Sequence, residues 1–249
     1  MRRYRARPDP AVLAVAVDNR FATYNPVMPD RATVASFQDL TLRDFVDQLS
    51  SSAPVPGGGS ASAVAASLGA ALVAMVGSLS QGRPRYADHG DLHATSIETG
   101  RRLAARFLQL ADEDATAYDA FARAMKLPRD TEDEQQRRRD ALSEAARGAS
   151  EVPLATVEAC LELVSAAESL VGRSNVNAAS DLDVAALLAE AAARGAAANV
   201  LINLPAVGDE SYVGETTARV MALLASVEEQ ASAVHSAVRN GESREPLPA

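Results

Sequence analysis

Leu103-Ala104-Ala105-Arg106-Phe107-Leu108-Gln109-Leu110-Ala111-Asp112-Glu113-Asp114-Ala115-Thr116-Ala117-Tyr118 is the stretch that decides the fold. Carried on to Met125, it puts Leu103, Phe107, Leu110, Asp114, Ala117, Tyr118, Phe121 and Met125 on one stripe at three-and-four spacing. That is the mark of a helix with one face in a core. Asp114 interrupts the stripe. Asp112 lies about 200° away, beside Thr116, Asp119 and Arg123, on the face expected to be solvated. The run Asp112-Glu113-Asp114 therefore holds one carboxylate aimed inward. An unpaired buried carboxylate is costly, so such a group is paired, protonated or functional. Desolvation raises its pKa towards the range useful for proton transfer at neutral pH. From spacing alone, an inward salt bridge, a cap for a neighbouring helix and an acid/base role all stay open.

Working outward, the punctuation is helical throughout. Thr41 with Asp44 resembles a capping box and opens a short helix to about Ser51. Pro54-Val55-Pro56-Gly57-Gly58-Gly59 is a tight loop, and Ser60 is expected to cap a helix running to about Ser80. Gln81-Gly82-Arg83-Pro84-Arg85-Tyr86 breaks that helix. The long helix spans about Asp91 to Met125 and stops at Leu127-Pro128. The next starts near Thr131, with Asp133 and Glu134 in its first turn, and reaches about Val171; Pro153 is expected to kink or divide it. Ser180 with Asp183 reads as a second capping box, opening a helix to Leu204. A turn over Pro205 to Asp209 precedes a last helix, about Glu210 to Asn240. No strand-like alternation or solenoid repeat competes with this pattern. The expected fold is all-α, an antiparallel bundle of about six helices. Residues 1–37 read as a disordered or loosely attached extension, 38–240 as the helical domain and 241–249 as a flexible tail.

Composition narrows the function. Of the 249 residues, 47% are hydrophobic but only 4% aromatic, so the apolar content is mostly Ala, Leu and Val, which suits closely packed helices. A net charge of -9 argues against binding to nucleic-acid backbones. The single cysteine, Cys160, excludes an internal disulfide, fits a reducing cytoplasmic compartment and reads as a small buried apolar residue. His89 and His93 have the spacing of two metal ligands but lie around Gly90 in a loop with no third ligand nearby, so no metal site is expected. The uncharged stretch Pro54 to Gln81 reads as a buried core helix in place of a membrane span, because Ala, Ser and Gly gain little from lipid. The apolar run Ala11 to Val17 is too short to span a membrane.

Further polar residues stand out. On the helix from Ser180, Asp183, Glu190 and Arg194 share one stripe, and Asn199 and Asn203 lie roughly opposite among Ala, Val and Leu. Two inward amides need partners, in a neighbouring helix, water or a ligand. Asp181 favours the helix dipole. The Gly57-Gly58-Gly59-Ser60 loop leads into a helix N-terminus with free N–H groups, but it lacks the lysine and preceding strand of a nucleotide P-loop. Arg83, Arg85, Lys126 and Arg129 are loop cations at helix ends.

Several segments, in order over residues 38 to 240, resemble the cyclodeaminase/cyclohydrolase family: the cyclodeaminase domain of formiminotransferase-cyclodeaminase and the related methenyltetrahydrofolate cyclohydrolases. They are Ala53-Pro54-Val55-Pro56-Gly57-Gly58-Gly59-Ser60, Gly82-Arg83 with Tyr86, Asp112-Glu113-Asp114-Ala115 running into Ala124-Met125-Lys126-Leu127-Pro128, Ser180-Asp181-Leu182, and Asn199-Val200-Leu201-Ile202-Asn203-Leu204. The chain departs from the family pattern at Pro84, which interrupts a basic pair, and in its N-terminal extension. The resemblance implies an all-α homodimer with a folate cleft between helices near the subunit interface. It also implies a catalytic role for Asp114, the second aspartate of the Asp-x-Asp-Ala motif. The substrate would be a one-carbon derivative of tetrahydrofolate, with no resident cofactor and no metal. The substrate-binding set it suggests is Gly57, Gly58, Gly59, Ser60, Arg83, Asp181, Asn199 and Asn203. Within it the glycine loop admits close approach of backbone to ligand, the two asparagines bond the pterin or the tetrahedral oxygen, and Arg83 attracts the glutamate tail. Hydrolysis of 5,10-methenyltetrahydrofolate is the expected reaction, because the chain shows one domain and no formiminotransferase partner. The alternatives are formiminotetrahydrofolate cyclodeamination and a catalytically silent helical dimerisation protein.

Overall fold

The computed structural model describes residues 36–247. Residues 1–35, and with them most of the expected extension, lie outside the described residues, as do 248–249. Among the described residues there are six α-helices and no strand: α1 (Leu42–Leu49), α2 (Gly58–Ser80), α3 (Gly90–Met125), α4 (Glu132–Leu170), α5 (Ala179–Asn203) and α6 (Glu210–Asn240). Short 3-10 turns cover Phe37–Asp39, Pro84–His89, Val176–Ala178 and Leu204–Val207.

The pairing of elements follows from contacts that run in opposite directions along neighbouring helices. Ser60 meets Ala111 on α3, Ser67 meets Ala104, and Gly77 meets His93, so α2 and α3 are antiparallel. On α5, Gly58 meets Asn199, Ser62 meets Gly195 and Gly69 meets Ala185, which is antiparallel again. A side chain at Gly195 would collide with the Ser62 hydroxyl, so glycine there sets how closely α2 and α5 approach. Helix α4 packs on α3 and α5, completing a four-helix bundle, and α6 lies on α4 and α5. The buried face of α5 is almost entirely alanine (Ala185, Ala186, Ala189, Ala192, Ala193, Ala196 and Ala197), which keeps its axis close to its neighbours. Two helical segments, α2 and Val176–Val207, are long and apolar enough to cross a membrane by length and composition. Half of each such face is turned into the bundle or nearly so, consistent with core helices that also carry an outer apolar face.

Several expected starts and stops shift, each for a local reason. Thr41 caps α1, and Thr131 with Glu134 forms a full capping box on α4. Ser60, however, lies in the first turn of α2, whose cap is Gly57. Ser180 likewise lies inside α5, because the 3-10 turn Val176–Ala178 runs straight into the helix; Asp183 bonds His235 at 3.0 Å instead of reaching back. Pro153 does not divide α4, which continues through it. Pro153 has no N–H to give the carbonyl of Ala149 four residues earlier. Asn203 supplies the missing donor, its amide lying 2.7 Å from the Ala149 oxygen.

Both ends of the domain are anchored further out than the sequence suggested. Phe37 is buried and packs edge-on against Phe45 at 5.6 Å. Asp112, expected in solvent, accepts from the Ser36 hydroxyl, the Phe37 N–H at 2.7 Å and Gln38 at 3.2 Å. At the other terminus, residues 242–245 dock on the turn after α4. The Arg244 N–H donates to Gly172 O at 3.0 Å, its guanidinium pairs with Glu168 at 2.6 Å, and Arg173 donates to Glu245 O. The histidine pair is no loop: His93 sits fully buried in the first turn of α3 and bonds Arg173 O at 2.9 Å. Cys160 is fully buried, and burial pushes its thiol up to about 12, which removes it as a nucleophile at neutral pH.

Candidate active site

The predicted inward stripe of α3 holds as far as Asp114 and then turns. Leu103, Phe107 and Leu110 are buried, as are Ala111 and Ala115. Beyond them Ala117, Tyr118 and Phe121 are half-buried and Met125 is exposed, while the buried positions shift to Ala122 and Ala124. Asp114 stands at the change, half-buried, over the first turn of α2. The Ser60 hydroxyl lies 2.8 Å from its Oδ2 and 3.2 Å from Ala111 O. A Cβ on Gly59 would fall 2.6 Å from Cγ and 2.7 Å from Oδ2 of Asp114, and closer still to Oδ1. The carboxyl therefore occupies the space that only glycine leaves. Next to it, Gly58 faces the Asn199 amide, 3.7 Å from where a Cβ would stand. The opening turn of α2 thus has a carboxyl on one side and a carboxamide on the other.

Burial pushes the Asp114 carboxyl above its ordinary value, while the Ser60 hydroxyl and N–H pull it back. Among the described residues, no arginine or lysine clamps it. The neighbouring carboxylates are engaged elsewhere: Asp112 with residues 36–38, and Glu113 with Arg106 at 2.5 Å. A carboxyl held part-way out of water and oriented by Ser60 can both accept and return a proton.

The predicted substrate-binding residues separate into two groups. Gly57, Gly58, Gly59, Ser60, Asn199 and Asn203 gather with Asp114 at one end of the bundle. Ser60 is fully buried, however, and so contacts Asp114 in place of any ligand. Asn203 spends its amide N–H on Ala149. Asn199 returns one N–H to Gly195 O at 2.8 Å and keeps its oxygen and second N–H. Arg83 and Asp181 lie at the opposite end. From Gly58, α2 climbs 23 residues, about 33 Å, before Arg83. Asp181 precedes Asn199 by 18 residues of α5, about 27 Å. Between α2 and α3, towards that far end, a surface groove of about 360 Å³ is lined by Ala71, Ala74, Met75, Ser78, Arg101 and Ala104. It does not include Asp114. The positioning of Asp114 by Ser60 escaped the sequence reading, since a serine after a glycine run signals a cap equally well.

A family model described as formiminotransferase-cyclodeaminase matches residues 41–222. The chain is 39% identical over 215 residues to the formimidoyltransferase-cyclodeaminase of Mus musculus, covering 84% of this chain and 38% of that protein. It is 37% identical over 186 residues to the methenyltetrahydrofolate cyclohydrolase of Methylorubrum extorquens, covering 74% of this chain and 89% of that one. The chain thus spans well under half the length of the formimidoyltransferase-cyclodeaminases it matches, and most of the cyclohydrolase. In three dimensions it superposes on formiminotetrahydrofolate cyclodeaminase from Thermotoga maritima with a TM-score of 0.74 at 26% identity, covering 82% of this chain and 98% of the other.

Proposed function

The chain belongs to the formiminotransferase-cyclodeaminase family, and from that premise we propose that it is a one-carbon folate enzyme that hydrolyses 5,10-methenyltetrahydrofolate to 10-formyltetrahydrofolate. The observation that carries the reading is the Asp114 carboxyl, raised in pKa by burial and seated on Gly59, with the Asn199 amide across the opening turn of α2. Asp114 takes a proton from water as the water oxygen adds to the amidinium carbon bridging N5 and N10. The tetrahedral carbon then collapses: Asp114 returns the proton to N5, the C–N5 bond breaks, the hydroxyl proton passes to solvent as the C=O forms, and the formyl group stays on N10. Asn199 orients the pterin or the tetrahedral oxygen with its remaining N–H. The chemistry asks only for proton transfer at one positioned group, so no resident cofactor or metal enters the proposal. The cytoplasm is the compartment we infer, supported by a single buried cysteine.

The second reading, formiminotetrahydrofolate cyclodeamination, shares the tetrahedral carbon: N10 attacks the formimino carbon and ammonia leaves. It is favoured by the solved structure that matches this fold. Assay of both substrates separates them. Loss of the methenyl absorbance band without ammonia release from the formimino substrate supports the hydrolase; gain of that band with ammonia release replaces it by the cyclodeaminase. Inertness to both, with no rise in melting temperature on adding a tetrahydrofolate analogue, leaves a non-catalytic helical protein.

We further propose a homodimer formed through the outer faces of α2 and α5. Leu68, Met75 and Leu79 on α2, and Val184, Leu187 and Ile202 on α5, are exposed on adjacent helices, and α2 carries no charge along its length. A contiguous apolar face of this kind is an interaction surface. An antiparallel pairing of two copies would bring the Arg83 end of one towards the Asp114 end of the other.

A further inference from the structure

We propose that Ser60 is a positioning residue for Asp114: its hydroxyl holds Oδ2 and so fixes the orientation of the carboxyl that exchanges the proton with substrate. This rests on the catalytic reading of Asp114 given above. Ser60 is fully buried, so it touches no ligand, and α2 does not need it as a cap because Gly57 occupies that position. Its one proton has two acceptors in reach, Asp114 Oδ2 at 2.8 Å and Ala111 O at 3.2 Å. An ionised carboxylate is the stronger acceptor, so the proton points to Oδ2 when Asp114 is charged. Once Asp114 is neutral, the Ala111 carbonyl competes, and the hydroxyl can turn. The serine thus follows the charge of the aspartate through a cycle. Gly59 closes the other side of the cradle, since any side chain there would displace the carboxyl.

The elements around Asp114 bring no charge that would blur this coupling. Helix α2 has none. On α3, Asp112 and Glu113 are bonded elsewhere, and Tyr118 stands one turn on. On α5, Arg194 is held by Glu190 and Glu228, and on α4 Arg147 is held by Asp209 and the Tyr212 ring. Among the described residues, burial and Ser60 are the influences that set the Asp114 carboxyl.

The test is Ser60→Ala in the full chain, read two ways: carboxyl 13C NMR titration of Asp114, assigned by its absence in Asp114→Asn, and the pH profile of kcat/KM on methenyltetrahydrofolate. Losing a charge-assisted donor should move the Asp114 midpoint up by roughly one pH unit. The matching limb of the profile should follow, with kcat at neutral pH down roughly tenfold and KM unchanged. Ser60→Gly, which also lacks the hydroxyl, serves if the alanine variant fails to fold. An unmoved midpoint overturns the proposal, as does a rise in KM with the midpoint in place, which would make Ser60 a substrate determinant. The NMR midpoint needs no turnover. A wild-type chain inert to both folates therefore sinks the functional reading, whereas an unmoved midpoint in an active enzyme sinks this one.

Discussion

A carboxyl laid against the first turn of a helix feels two opposed influences: burial favours its neutral form, and N–H and O–H donors favour its charged form. At Asp114 burial prevails, so its folded-state pKa lies above the unfolded one. The native state then binds the proton more tightly in the window between those two values. The stability this contributes is complete below the unfolded value and declines as pH rises through the folded one. Asp114→Asn abolishes that titration. The variant should melt no lower than wild type at pH 8 in calorimetry, while turnover falls by at least about a hundredfold. Retained turnover would remove Asp114 from the chemistry. The inward aim of Asp114 was legible in the spacing of Leu103, Phe107 and Leu110. The engagement of Asp112 was not, because residues 36–38 reach it from 75 positions away in the chain and no local pattern records that.

At the scale of elements, starts set by a side chain's own neighbours were readable, as at Thr41 and Thr131. Starts decided by a preceding 3-10 turn, as at Ser180, were not. The most consequential element feature is the tie between α4 and α5. Pro153 leaves the Ala149 carbonyl without its helical donor, and Asn203 fills the gap from the end of α5. Asn203→Ala leaves that oxygen unpaired and should cost about 1–3 kcal/mol in urea unfolding. In a Pro153→Ala background, where a backbone N–H returns, the same substitution should cost clearly less. Equal costs in the two backgrounds would mean that the proline and the asparagine act independently. Asn203 thus fixes the last turns of α5, and with them Asn199.

Taken whole, the described domain is an alternating bundle with Asp114 towards one end and Arg83 and Arg85 at the other. The sequence disclosed the helices and their order, but motifs collected along a chain carry no information about which end of a helix each occupies, so the separation of Arg83 and Asp181 from Asp114 within one chain was not legible in it. If two copies pair through α2 and α5, Leu187→Glu combined with Leu68→Glu should convert a two-chain species into a monomer in analytical ultracentrifugation. A variant that stays dimeric places the interface elsewhere. The anchoring of the two ends has a practical corollary. The described chain enters at Ser36, clasped by Asp112 within one turn of Asp114, and leaves beside Gly172, where α4 finishes. A protein tethered to a bead past Leu247 would therefore turn the Asp114 end of the bundle to the bulk.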